Sequence, residues 1–292
     1  MQPATLRRHG QRGTYDLKSV KDVFDDCFIS HVSYAVDGLP ACMPMIALIM
    51  EDPEADTLRS SELGERLSNG ANEDLKNGIQ KDGNTTFVYL HGHPSTKLME
   101  LVREANRRQS EDVQSTTETN GQIANNKSLG EVKVCITATK VDGLVLSSAP
   151  NGHTFNYRSA TIHGTCEPVS SKTTKHAVMR AVTQKIVANR WEEVNPVASM
   201  QVSLVYVVKV HIDALSVKSR TGIPGIQPRN KEKDGPDIQI PPWTGVIPLW
   251  EELGTPVDSG LTPNAVVSGN LKAYIETRNE RQQAYSKKAA SS

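Results

Sequence analysis

The sequence predicts a mainly β protein, an antiparallel barrel with helices packed outside it. Three observations carry that prediction. Runs rich in Val, Ile, Thr and aromatic residues recur along the chain and read as strands. Two of them contain an Asp-Gly pair, Asp37-Gly38 and Asp142-Gly143, and Asp-Gly between apolar runs is a strong hairpin signal. Only a few segments carry apolar residues at the spacing of a helix face.

In chain order, YDLKSVKDVFDDCF places Leu17, Val20, Val23 and Phe24 at helical spacing behind Asp16 as a candidate cap. FISHVSYAV and LPACMPMIALIM then form a hairpin about Asp37-Gly38. Residues 51–84 change to charge, Gly, Ser and Asn and read as a polar insertion. TTFVYLHG is a strand, and STKLMELVREANRR a helix with Leu98, Leu101, Val102 and Ala105 on one face. A second polar stretch covers 110–130. EVKVCITATKVDGLVLSS reads as strand, turn and strand, and FNYRSATIHGTCEPV as a further strand. SSKTTKHAVMRAVTQKIVANRW is an amphipathic helix, and MQVSLVYVVKVHIDALSVKSR a long valine-rich strand. A Gly/Pro/Asp-rich loop runs to Pro242, WTGVIPLWEEL is a short apolar stretch, and a helix followed by a Lys/Ser/Ala tail is expected after Pro263. The expected division is one domain over 1–255 and a helical extension over 256–292.

The 292 residues carry 33 Lys plus Arg against 33 Asp plus Glu. A balanced charge argues against a general nucleic-acid or membrane-surface protein. No run approaches the ~18 apolar residues of a membrane span, and the N-terminus lacks a signal-peptide core. Cys27, Cys42, Cys135 and Cys166 are far apart and form no C-x-x-C pair. They read as small core residues of a reducing compartment, which points to the cytoplasm.

Three stretches carry more polar chemistry than packing requires. In YLHGHPSTKL, a strand ends at Gly92 and Ser95, Thr96 and Lys97 open a helix. Free amides, two hydroxyls and an ammonium suit an anion, while a plain capped helix with a solvated lysine gives the same residues. In HTFNYRSATIHG, Tyr157, Ser159 and Thr161 share one strand face and Arg158, Ala160 and Ile162 the other. The first face suits a flat polar heterocycle or plain solvent, and Arg158 equally suits a structural ion pair. In PPWTGVIPL, Trp243 beside Gly245 offers a planar wall or a core residue. His91 and His93 lack a third metal ligand, so no metal site is nominated.

Taken together, YDLKSVKDVFDDCFISHVSY, YLHGHPSTKL, DGLVLSS, HTFNYRSATIHG, SVKSRTG and PPWTGVIPL resemble, in order, the nitroimidazole-resistance (Nim-like) flavoproteins. These belong to the pyridoxamine 5′-phosphate oxidase-like, FMN-binding split-barrel superfamily. The resemblance implies a six-stranded antiparallel split β-barrel and a homodimer with FMN in clefts between subunits. It assigns Ser95, Thr96 and Lys97 to the FMN phosphate, and Tyr157, Arg158 and Ser159 to the flavin ring. Tyr89 and Gly92 join the cofactor-binding set, Trp243 closes the site from the other subunit, and His91 lies near flavin and substrate as the candidate catalytic residue. The pyridoxal-phosphate-binding pattern of true oxidases is not evident near the C-terminus.

The function this implies is an FMN-dependent oxidoreductase, nitroreductase- or oxidase-like, acting on a small molecule through the flavin N5. The alternative is a non-catalytic flavin- or haem-binding protein of the same fold.

Overall fold

The structure is a computed structural model that describes residues 4–55, 85–116 (backbone only from 112), 131–225 and 242–292. Most of both expected polar insertions, residues 56–84 and 117–130, and most of the loop before Pro242 lie outside the described residues. Among the described residues, nine strands form one sheet in which every pairing is antiparallel. They are β1 (Gly13–Thr14), β2 (Ser30–Val36), β3 (Leu39–Met45), β4 (Ala47–Glu51), β5 (Thr86–Gly92), β6 (Lys133–Leu146), β7 (Thr154–Pro168), β8 (Tyr206–Arg220) and β9 (Gly245–Pro248). The helices are α1 (Leu17–Asp26), α2 (Lys97–Thr116), α3 (Lys172–Ile186), α4 (Ser199–Leu204) and α5 (Gly269–Ser291). Among the described residues none is long and apolar enough to cross a membrane.

The sheet runs β3-β2-β6-β7-β8-β5-β4, with β1 added on β8 and β9 on β6. It is not closed by hydrogen bonds between β3 and β4. Yet β3 passes into β4 through Ile46 alone, so the two ends of the sheet are one run of chain. This mainly antiparallel architecture with flanking helices is consistent with a split barrel.

Local chemistry places several elements as expected. Asp16 caps α1, its Oδ1 accepting from the Ser19 amide at 2.7 Å. Ser171 caps α3 in the same way, accepting from Thr174 at 3.2 Å. The β2–β3 hairpin turns at Asp37 (φ 51°) and Gly38 (φ 80°), two left-handed residues as a tight hairpin demands. The main core lies on the inner face of the sheet. Val32, Ile136, Ala160, Ile162, Val208 and Val210 meet Val20, Val23 and Phe24 of α1 and Leu98, Met99 and Val102 of α2. A second cluster on the outer side of β4 and β5 joins Leu48, Tyr89 and Val207 to Val178 of α3.

Four expectations fail for physical reasons. Asp142-Gly143 does not turn. β6 continues through it, with Val141 opposite Tyr157 and Gly143 opposite Asn156, so Asp142 is the extra residue of a bulge. Its buried carboxylate is held by Arg158, and β9 pairs with 143–146. The long valine-rich strand begins only at Tyr206, because 199–204 form the helix that buries Val202. The polar stretch assigned from 110 starts inside α2, which runs to Thr116. The Lys/Ser/Ala tail is helical to Ser291 and is packed rather than free. Ser286 and Ala289 are buried, and Ser286 Oγ donates to the Leu249 carbonyl at 2.7 Å.

Candidate functional site

Strand β5 ends at the first candidate stretch. Phe87, Tyr89 and His91 share one face by strand alternation. Tyr89 is fully buried in the second cluster, and its buried hydroxyl has no hydrogen-bond partner among the described residues. A cavity of about 120 Å³, lined by Tyr89, Asp52, Glu54, Glu167, Ser171 and Lys209 among others, adjoins it. Burial, reinforced by these three carboxylates, pushes the phenol pKa up. His91 is half-buried, and burial lowers its pKa, so the neutral imidazole is favoured. Gly92 lies on the opposite face, toward Met99 and Met45.

The turn that follows is fastened on itself. His93 Nδ1 accepts from the Ser95 amide at 3.3 Å and lies 2.6 Å from the Ser95 hydroxyl. Thr96 Oγ1 donates to the His93 carbonyl at 2.9 Å. Both hydroxyls expected to face an anion therefore also close the turn. Lys97 begins α2, is exposed, and is absent from every ion pair among the described residues. The first amides of α2 have no carbonyl of their own helix to bond, and a cation beside them is unfavourable until an anion joins it.

The second stretch forms the middle of β7. Tyr157, Ser159 and Thr161 are half-buried on the outer face, and Arg158, Ala160 and Ile162 are buried on the inner one. Across the ladder, Ser159 lies beside Thr139, their hydroxyls 3.0 Å apart, and opposite Lys218. Phe155, two residues before Tyr157, is exposed on the same face. This outer face of β6, β7 and β8 is a half-open surface of hydroxyls and aromatic rings.

The two stretches do not meet within one chain. His91 is opposite Val207 of β8 and Ser159 is opposite Lys218. Eleven residues of strand separate them, about 36 Å of strand path. Trp243 precedes β9 and is 65% exposed. Its ring lies over Gly245, where a Cβ would sit 2.6 Å from the ring, so only glycine admits the indole there. Among the described residues, cavities of about 760, 560 and 430 Å³ are lined by none of His91, Gly92, Ser95, Thr96, Lys97, Tyr157, Arg158, Ser159 or Trp243.

Arg158 takes the ion-pair option that the sequence leaves open. Its Nε and Nη2 donate to Asp142 at 3.0 and 2.8 Å, its Nη1 donates to Asp26, and its guanidinium stacks 3.8 Å from the centre of the Tyr285 ring. Asp26 also accepts from Arg281 at 3.0 Å and Gln282 at 3.2 Å. Desolvation works against the charged form, but the hydrogen bonds that Arg158 donates to Asp142 and Asp26 outweigh it and raise its pKa. This network fastens α5 to α1 and the sheet.

Sequence reasoning missed the role of one residue within the first stretch and a second residue beside it. His93, weighed only as a metal ligand, organises the turn. Tyr206, directly across from Gly92, has a buried hydroxyl with no partner among the described residues. Only the strand register reveals Tyr206, since nothing in its own sequence context marks it.

Comparisons agree with this fold. A family model described as pyridoxamine 5′-phosphate oxidase matches residues 107–219. The flavocytochrome Anf3 of Azotobacter vinelandii is similar with a TM-score of 0.61 and 20% identity, covering 94% of this chain and 97% of its own. An FAD and haem binding protein of Mycobacterium smegmatis is similar with a TM-score of 0.60 and 17% identity, covering 90% and 97%. At these identities the likeness is one of fold. No curated protein matches the sequence.

Proposed function

We propose that this chain is an FMN-binding flavoprotein of the Nim-like kind, acting as a homodimer and exchanging electrons with a small organic acceptor. One observation carries the reading. The two candidate stretches sit at opposite ends of β8, each open to solvent, so a second copy laid against the outer face of β6–β8 is what joins them. The family match over 107–219 and the flavin named in a similar structure support it.

The residues fit such a cofactor. Lys97, unpaired among the described residues, and the leading amides of α2 form an anion cradle in which a phosphate relieves the misplaced charge. Ser159 and Thr161 present hydroxyls to a heterocycle edge. Tyr157 and the exposed Trp243 supply flat walls that hold the ring and exclude water. The neutral imidazole of His91 can accept a proton from, or relay one to, a substrate held beside the ring. A bound flavin supplies the hydride exchange itself. Arg158 holds the strand that carries Tyr157 and Ser159.

The test is the visible spectrum of purified protein, with mass analysis of any released ligand and light scattering for the assembly. The reading expects one FMN per chain in a dimer whose reduced form is reoxidised by quinones or nitroaromatics under argon. A dimer that binds no flavin after reconstitution overturns it. Haem binding without turnover is the second reading, favoured by the flavocytochrome and the FAD and haem binding protein of similar fold. A Soret band with one haem per chain would select it.

A further inference from the structure

A cavity of about 760 Å³ lies between α1, β4, α3 and α5, apart from every residue assigned above to flavin. Its lining includes five cations, Lys21, Arg180, Lys185, Arg278 and Arg281, against one carboxylate, Asp25. The rest of the lining is largely apolar, with Leu48, Ile49, Met50 and Phe28 among it. Several cations have neighbours already. Lys21 pairs with Asp25 at 2.5 Å, Arg180 with Glu192 at 2.6 Å, Arg281 with Asp26 at 3.0 Å, and Lys185 lies 3.9 Å from Asp25. Arg278 is different. It is 5% exposed, stacks over Phe28 at 4.1 Å and gives Nη2 to Glu251 at 3.3 Å. Among the described residues its buried Nη1 has no acceptor, and the buried Gln184 Oε1 on the same lining has no donor. A guanidinium nitrogen without an acceptor, on a residue lining a cavity with five cations and one carboxylate, favours an anion there.

A second cavity of about 560 Å³ shares Phe28, Lys185 and Tyr274 with the first. Its remaining walls are mostly aliphatic, among them Ile29, Ile46, Ile186, Leu253, Leu271 and Ile275. A cationic chamber opening onto an aliphatic groove matches one chemistry, a charged head on a hydrocarbon body.

We propose that the two cavities form a second ligand site for an aliphatic organic anion. Its carboxylate or phosphate lies against Arg278, Arg180 and Lys185, and its chain lies along Ile29, Ile186 and Ile275. The site is independent of the flavin reading, since it shares no residue with it.

Equilibrium dialysis of the full chain tests this with laurate and dodecyl phosphate below their micellar concentrations, and with dodecanol as the neutral chain. At least one anion should bind saturably, once per chain, at least about tenfold tighter than dodecanol. The tighter of the two identifies the head group. Arg180→Glu, at an exposed position, and Arg278→Gln should each weaken that anion about tenfold or more, the size of one lost charge-assisted hydrogen bond. Both variants should bind flavin as the wild type does, which separates this result from any failure of the flavin reading. Anions bound no better than dodecanol, or unaltered anion binding by folded Arg180→Glu, overturns the proposal. Should Arg278→Gln fail to fold, Arg180→Glu decides alone.

Discussion

Replacing Arg158 by Ala tests whether this residue holds the fold or the cofactor. In the structure its guanidinium makes three hydrogen bonds to two carboxylates and stacks on Tyr285. Asp142 is 2% exposed, so truncation leaves it buried without its counter-charge. Removing one partner of a buried pair costs about 3–5 kcal/mol, most of it the penalty of the stranded charge. The expected loss is of that size, a large part of a domain's total stability of roughly 5–15 kcal/mol. Urea unfolding of protein stripped of flavin measures it directly. Because Tyr285 and the Asp26 contacts tie α5 to the same arginine, the variant should also release α5, seen as faster proteolysis near 253–268. Arg158→Lys keeps the charge but not the fork geometry, and should fall between. A variant as stable as the wild type within ~1 kcal/mol, defective only in flavin affinity, would refute the structural role and return Arg158 to the cofactor.

Three further outcomes follow from the same geometry. Lys97→Ala should weaken FMN binding roughly 10- to 150-fold, one charge-assisted bond, while leaving flavin-free thermal stability unchanged or slightly higher; an unaltered FMN-dependent shift in Tm at limiting FMN would sink the phosphate assignment. His91 has a folded pKa depressed by burial, so the folded state resists protonation. Its contribution to stability is complete above the unfolded pKa of ~6.5 and is lost as pH falls toward the folded value. His91→Gln should therefore flatten the loss of unfolding free energy between neutral and mildly acidic pH, and an unchanged slope counts against a buried neutral imidazole. Cys42, expected from the sequence among the core residues, is exposed and should react with iodoacetamide in the folded protein, whereas Cys166, whose thiol burial pushes up to about 12, should react only on unfolding; labelling followed by peptide mass mapping reads both.

Local physics was legible in the sequence. Asp16 and Ser171 cap helices because a short polar side chain reaches an amide three residues on, and neither needs the rest of the chain. Asp37-Gly38 turns because two left-handed residues suffice there. The strand content and antiparallel class follow from side-chain type and alternation, and the candidate stretches were found by chemistry out of keeping with packing. The tertiary structure decided what depended on distant partners. Asp142-Gly143 carries the same dipeptide as the working hairpin, yet stays extended, because Arg158 captures the aspartate and β9 covers the glycine. Helix α5 turns Arg278, Gln282, Ser286 and Ala289 inward. These residues recur at helical spacing but form no apolar stripe, so a search for apolar periodicity passes over them. What makes them a buried face is Glu251, Asp26 and the Leu249 carbonyl, all supplied by chain outside α5. The same holds for the candidate site. Residue types nominate Lys97, Ser159 and Trp243, but only the register along β8 sets the first stretch about 36 Å of strand from the second, because hydrogen-bond pairing between strands, and not sequence order, fixes which side chains can share a ligand.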